Sequence, residues 1–324
     1  MIILKLRNFF TALLIAAMVF SLTACNSNLG IYINVKAGDV YKYHTLTSIT
    51  SNTEIMGEST STTQDTTTDF KVTIDSVDSE GNITMNYMFD NIKFESEAAG
   101  EKITYDSSNN SDTDDFSKVY KSIIGKGFNT KMTKHGEVSE VSGVDDLIIS
   151  MLDAMELDTS DDANIQETKT YLQSSFGDNA LKTLIQQSTR VLPENDVKIG
   201  DSWTIENTIN SIVEINTKTT YTLDKIQNKI AHISVKSEFN TDSSKTHKYP
   251  GMGIDMDMTT DLTGKTTGTI RIDTTNGFLS EGEITQQMTG KMSVVVPSIE
   301  GSEEETVDIP MDSTSKVTYS ITKM

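Results

Sequence analysis

The stretch Phe70-Lys71-Val72-Thr73-Ile74-Asp75 decides the fold class, together with Ile83-Thr84-Met85-Asn86-Tyr87-Met88-Phe89, which follows a turn at Ser79-Glu80-Gly81-Asn82. Apolar and polar residues alternate in both runs. A period of two gives one dry and one wet face, the signature of an antiparallel sheet. Working outward, the β signal extends from Val40 to about Ser142. Within it, 58–69 (ESTSTTQDTTTD) is wholly polar, either a solvated edge strand or a mobile hairpin; its threonines favour the strand. Residues 106–115 (DSSNNSDTDD) form a polar, acidic loop.

From Val144 the period changes. Val144, Leu147, Ile148, Met151, Leu152 and Met155 form one stripe of an amphipathic helix, with Asp145 and Asp146 in a first turn that favours acid. A second helix is predicted over about 164–176. A third runs from Asp178, a candidate N-cap, through Leu181, Leu184 and Ile185 to near Arg190, and Pro193 closes it. Beyond Pro193 the β pattern returns, as at Tyr221 and Leu223, Ile270 and Ile272, and Val317, Tyr319 and Ile321.

The two β parts read as diverged copies. Gly38-Asp39-Val40-Tyr41 echoes Gly200-Asp201-Ser202-Trp203, and Ile74-Asp75-Ser76-Val77 echoes Leu223-Asp224-Lys225-Ile226. Gly127 and Gly136 stand nine apart, as do Gly268 and Gly277, and Val138-Ser139-Glu140 matches Leu279-Ser280-Glu281. The expected fold is α+β: two curved antiparallel β-sheets, the duplicated units, joined by a helical connector. The expected divisions are 1–24 signal peptide, 25–142 N-terminal β unit, 143–192 helical connector and 193–324 C-terminal β unit. The helical stripe is expected to bury itself in the concave face of a sheet.

The leader carries the clearest message. Lys5 and Arg7 precede the apolar run Phe9 to Phe20, too short to span a bilayer comfortably but suited to a secretory signal. Leu22-Thr23-Ala24-Cys25 then resembles the lipobox of bacterial lipoproteins. Small residues fit a narrow peptidase site, and a thiol is the nucleophile that takes a diacylglycerol. Cys25 is the chain's single cysteine and the expected lipidation site. Two or three acyl chains hold a protein firmly, where one would be marginal. The expectation is a lipid-anchored, extracytoplasmic protein of the cell envelope.

A second resemblance lies at Val191-Leu192-Pro193-Glu194-Asn195-Asp196-Val197-Lys198-Ile199-Gly200-Asp201-Ser202-Trp203. This is similar to a bacterial lipoprotein family of unknown function, with Leu-Pro, then Val-x-x-Gly-Asp-Ser-Trp, then a Tyr-x-Leu strand (Tyr221-Thr222-Leu223) and an Ala-x-Ile strand (Ala231-His232-Ile233). The resemblance implies a localisation and a β-rich shape, and no activity. The residues themselves read as structural: Gly200 turns with positive φ, Asp201 bonds turn N–H groups, and Trp203 opens a strand and buries apolar area.

Composition narrows function by exclusion. Lys plus Arg is 27 against 47 for Asp plus Glu, a formal charge of −20. That excess of acid opposes phosphate-neutralising nucleic-acid binding. There is no Gly-x-Ser-x-Gly elbow and no His-Glu-x-x-His, and His44, His135, His232 and His247 are dispersed. The reading is non-enzymatic, with neither cofactor nor metal. Asp112, Asp114 and Asp115, and Asp255, Asp257 and Asp261, cluster without an EF-hand pattern and read as solvated loops. Met252, Ile254, Met256 and Met258 fall on one strand face, which packs as adaptable core or lines an apolar pocket. Two functional readings follow: a lipoprotein that binds an apolar or amphipathic ligand, or a structural or surface-interaction lipoprotein with a filled core. Beyond the membrane at its acylated N-terminus, the sequence names no protein partner.

Overall fold

The computed structural model describes residues 28–55, 57–109, 115–156, 162–210, 214–251, 254–296 and 305–324. Among the described residues strand far outweighs helix. The strands are β1 (Val40–Ile55), β2 (Glu58–Val77), β3 (Ile83–Ala98), β4 (Glu101–Asp106), β5 (Gly127–Met132), β6 (Val138–Ser142), β7 (Ser202–Asn210), β8 (Glu214–Gln227), β9 (Ile230–Thr241), β10 (His247–Gly251), β11 (Ile254–Asp273), β12 (Leu279–Val296) and β13 (Glu305–Lys323). The helices are α1 (Asp115–Ile123), α2 (Val144–Ala154), α3 (Asp162–Phe176) and α4 (Asp178–Thr189).

All thirteen strands belong to one sheet, ordered β6-β5-β3-β2-β1-β13-β12-β11-β9-β8-β7, with β4 beside β3 and β10 beside β11. This corrects the expected α+β arrangement of two sheets joined by a helical connector. The chain is mainly β, and the seam is the pairing of β1 with β13, from Tyr41 opposite Lys323 to Thr53 opposite Met311. The reason is hydrogen bonding. Each half would otherwise end in a long row of unpaired N–H and C=O groups, and the two rows satisfy each other. The polar 58–69 stretch is strand, as its threonines favour, but it lies inside the sheet between β1 and β3 rather than at an edge.

The repeated motifs do mark equivalent places. Gly38 has φ 88° and donates to the Ile74 carbonyl at 2.8 Å; Gly200 has φ 93° and donates to the Leu223 carbonyl at 2.7 Å. Asp39 Oδ2 accepts from Lys36 N at 3.0 Å, and Asp201 Oδ2 from Lys198 N at 2.9 Å. Register shifts skip Asp75 and Asp224, so the two bulges correspond as well. Gly136 and Gly277, both with positive φ, sit two residues before Val138 and Leu279, which pair with Met132 and Ile272. Gly127 and Gly268 do not correspond. Thr130 opposes Met85 where Ile270 opposes Ile233, so the position matching Gly127 is Thr267. The shared nine-residue spacing arises because 133–137 is one residue shorter than 273–278.

The sheet curls. An extended strap, 29–36, touches the turn before β7 (Leu29 N to Val197 O, 2.9 Å), the β5–β6 turn (Ile33 N to Lys134 O, 2.8 Å) and the β11–β12 turn (Asn34 N to Asn276 O, 2.9 Å). Five residues reach about 18 Å, whereas eleven strands laid flat would span about 48 Å. The two edges are therefore brought together at this end, the base of an incomplete barrel. Ile31, Ile33 and Val35 point in and are buried, while Tyr32, Asn34 and Lys36 point out. The strap thus stoppers the base.

Inside lies an aromatic core from β1, β2, β3 and β5. Phe70 and Phe89 have centroids 4.7 Å apart, and Tyr87 stacks on Phe128 at 5.4 Å. The α2 stripe is buried as its spacing predicts, at Val144, Leu147, Ile148 and Met151. It packs on α1, α3 and β5. Helix α1 follows the acidic loop and interrupts the stretch expected to be β; Val119 and Tyr120 pack on the core and Ile123 is fully buried. Helix α4 follows the third prediction, with Gly177 rather than Asp178 as N-cap.

Candidate functional site

The gap between edge strands β6 and β7 is filled by the end of α4 and the segment after it. Thr189 Oγ1 donates to the Gly136 carbonyl at 2.9 Å, and His135 Nδ1 to the Pro193 carbonyl at 2.9 Å. Trp203 Nε1 donates to the Val191 carbonyl at 3.0 Å, and its ring stacks on Tyr221 at 5.7 Å. Trp203 is only half-buried, less than its place after the Gly-Asp turn predicts.

These contacts hold α4 above the C-terminal half of the sheet and leave a cleft of about 460 Å³ beneath it. Its floor is mixed: Val235, Phe239, Ile270, Leu279, Ile284 and Val317 are interleaved with Thr217, Thr219, Ser237, Thr266 and Gln286. Its roof is the polar side of α4, with Lys182, Gln186 and Arg190. Through Asn207, Thr217 and Phe239 it continues into an open trough of about 840 Å³.

Three phenols gather under α4. Tyr43 donates to Ser188 Oγ at 2.9 Å, and Ser188 donates to the Ile185 carbonyl at 3.1 Å. Burial pushes the Tyr43 hydroxyl up to about 12, despite the bond to Ser188. Tyr221 and Tyr319 line the cleft and are buried, and their hydroxyls make no hydrogen bond to a described residue. Burial raises both well above the ordinary phenol value; the nearby Arg190 charge opposes this at Tyr221, and Tyr43 and Tyr221 add to it at Tyr319. Both stay neutral donors at physiological pH. Arg190 Nη1 donates to Asn207 Oδ1 at 2.7 Å, and Nη2 lies 3.9 Å from Glu137 Oε1. The cleft therefore offers a bed of mixed apolar and hydroxyl side chains, a polar roof and two phenol O–H donors.

The residues singled out from sequence lie elsewhere. Cys25 and Met252 fall outside the described residues, and Ile254 is described only as β11 backbone. Met256 is half-buried and Met258 buried, opposite Tyr249 and His247 of β10. Neither borders the cleft. Met258 belongs with Phe239, Leu262 and Val294 to a set of buried side chains apart from the main core. Asp112 and Asp114 lie outside the described residues, and no group of three metal-ligating side chains occurs among those described. No described helix is long and apolar enough to cross a membrane.

The model of DUF6263, a family of unknown function, matches residues 80–279, more than half of the chain. The chain belongs to DUF6263. The match runs from the β2–β3 turn to the first residue of β12, so it includes α4 and the β8, β9 and β11 parts of the floor. Ile284, Val317 and Tyr319 of this DUF6263 protein lie beyond it. No curated protein matches the chain. Among solved structures, lipovitellin, described for its lipid–protein interactions, is 10% identical, aligns over 89% of this chain and has a TM-score of 0.43. The DUF6263 chain spans only 26% of it. OccK7 (OpdD) of Pseudomonas aeruginosa is 5% identical, over 89% of this chain and 100% of that one, at TM-score 0.24. An outer membrane channel from Pseudomonas putida F1 is 6% identical, over 91% and 100%, at 0.25. All three scores fall below the level of a shared fold.

Proposed function

We propose that this protein is a non-enzymatic lipoprotein of the cell envelope, anchored outside the cytoplasm through acylated Cys25, and that it binds an amphipathic ligand between α4 and the sheet. The leader ending in Leu22-Thr23-Ala24-Cys25 supports the anchor. The cleft supports the ligand, and its lining carries the reading: six apolar side chains set among threonines and a serine under a polar helix, with the Tyr221 and Tyr319 hydroxyls unpartnered among the described residues. A purely apolar guest would leave Gln186 and Arg190 facing hydrocarbon, and a purely polar one would wet the floor. Its volume lies in the range of small-ligand sites.

The test is native mass spectrometry of the protein extracted from membranes in mild detergent, with solvent extraction of what it carries. The expected result is a bound amphiphile, and Thr266→Trp, which fills the cleft from a half-buried floor position, should release it without lowering the melting temperature. Wild-type protein that is empty after gentle extraction, and that takes up no added amphiphile, would leave the filled-core alternative.

A further inference from the structure

We propose that the cleft takes a neutral single-chain acyl lipid, its ester and hydroxyl groups on a polar row beneath α4 and its hydrocarbon running away from the base over a methionine-bearing face, which rests on the amphiphile reading above and adds a ligand class and an orientation to it. The mixed floor is ordered. Strand pairing sets the inward side chains of β13, β12, β11, β9 and β8 side by side in rows about 7 Å apart. One row is Val317, Ile284, Gly268, Val235 and Tyr221. The next, further from the base, is Ser315, Gln286, Thr266, Ser237 and Thr219, with no apolar side chain across five strands.

Beyond this polar row the apolar residues return two to a row: Met288 and Phe239, then Met311 and Leu262, then Ile309 and Met292. Phe239 and Leu262 are buried and the other four half-buried. The trough that continues the cleft reaches Phe239 and Met288. At the corresponding levels β1 and β2 carry Ser51, Thr53, Thr60 and Thr62, so the apolar track stops at the seam. From the polar row to Ile309 and Met292 the track is about 20 Å long. One acyl chain spans half of a bilayer's hydrocarbon, about 15 Å, and fits within it. Unbranched methionines adapt to a flexible chain better than a rigid aliphatic surface does.

The polar row has capacity to spare for a head group. The side chains of Gln286, Thr266 and Ser315 make no hydrogen bond to a described residue. Thr219 donates to Ser237 Oγ at 2.9 Å and Ser237 to the Lys218 carbonyl at 3.2 Å, which leaves the Thr219 oxygen able to accept. Together with the Tyr221 and Tyr319 hydroxyls these groups suit ester carbonyls and alcohols. Charge favours a neutral head. The row carries none, and the cleft lining balances Lys182 and Arg190 against Glu137 and Glu206. Glu137 lies 3.9 Å from Arg190 and Glu206 2.9 Å from Lys218. The burial that keeps both phenols neutral also penalises an ionised head.

Trp203 pairs with Tyr221 and so marks the head end of the track. The full-length protein, purified from membranes in mild non-ionic detergent, is titrated with monopalmitoylglycerol, monooctanoylglycerol and palmitate, and bound ligand is read by native mass spectrometry. Monopalmitoylglycerol should bind about a hundredfold more tightly than monooctanoylglycerol, and in preference to palmitate. Met288→Gln with Met292→Gln, which keeps side-chain volume, should cut that chain-length ratio about tenfold while sparing monooctanoylglycerol binding and the melting temperature. In the wild type, a palmitoyl chain brominated near the ester should quench Trp203 fluorescence strongly, and one brominated near its tip hardly at all. Preference for palmitate overturns the neutral head. Stronger quenching from the tip overturns the orientation, and an unaltered ratio in the folded double variant overturns the methionine track. Each of these, with an amphiphile still bound, leaves the amphiphile reading of the cleft in place. No uptake of any probe removes that reading and the proposal together.

Discussion

At the scale of single residues, the structure separates groups that look alike in sequence. Gly200 and Gly136 both have positive φ, but a Cβ on Gly200 would meet nothing within 4 Å, whereas one on Gly136 would fall 1.9 Å from the Thr189 carbonyl oxygen. Gly200→Ala should therefore show only the left-handed backbone penalty, about 1–2 kcal/mol. Gly136→Ala must also push α4 off the β5–β6 turn and should exceed that clearly in urea titrations. Asp69 makes the other residue-scale case. It is buried on the outer side of β2, with Oδ1 2.6 Å from His44 Nδ1 and Oδ2 3.1 Å from Lys42 Nζ. Burial alone would raise its carboxyl, but the hydrogen bonds and charges of His44 and Lys42 outweigh that and hold it below the usual range. A depressed carboxylate stabilises the fold above its unfolded value, near 3.9, and that contribution is lost as pH falls through the lower folded value. Asp69→Asn should thus destabilise by about 1–3 kcal/mol at pH 7, and the gap to wild type should close in melts carried below the ordinary carboxylate range. Nothing in the strand alternation announces this network, because Asp69 meets His44 only through the β1–β2 register.

At the scale of elements, local period was a sufficient guide wherever an element buries one face. The α2 stripe is the clear instance, because helical spacing by itself puts Val144, Leu147, Ile148 and Met151 together whatever they pack against. Ile148 is 2% exposed, so Ile148→Asp places an unpaired charge among apolar side chains and should lower the thermal midpoint by many degrees; an unchanged midpoint would mean that α2 is not core. The period failed where it was asked what covers a face. Met256 and Met258 do share a face, as alternation requires, but the cleft lies further along β11 at Thr266 and Ile270. Helix α1 was missed because it is short and adjoins the acidic loop that dominates its window. The cleft was illegible for a different reason: its walls come from α4, β7, β8, β9, β11, β12 and β13, and only the curl of the sheet assembles them.

At the scale of the whole molecule, the question is whether the copies fold as two bodies or one. Both halves were visible in the repeated Gly-Asp turns, because such turns are encoded by a few adjacent residues. The β1–β13 seam was not, because it joins residues more than 250 positions apart and either strand could equally have stayed an edge. The seam has an energetic consequence. Tyr41, Tyr43 and Tyr319 from the two seam strands are part of one core that also holds Phe70 and Phe128 from the first half and Leu223 and Ile270 from the second. Neither half can open without exposing the other's edge and part of this core. Urea unfolding should therefore be a single transition, with Trp203 fluorescence reporting the C-terminal half and near-ultraviolet dichroism of the Tyr43–Phe70–Tyr87–Phe128 cluster reporting mainly the N-terminal half. Thr318, paired with Leu46 on one side and Glu283 on the other, is the place to press. Thr318→Pro removes a ladder hydrogen bond from a central strand and should destabilise it clearly. In one body both signals shift together to lower urea. Separation of the wild-type signals into two midpoints, or a Thr318→Pro shift confined to Trp203, would show that the seam joins two independently stable sheets.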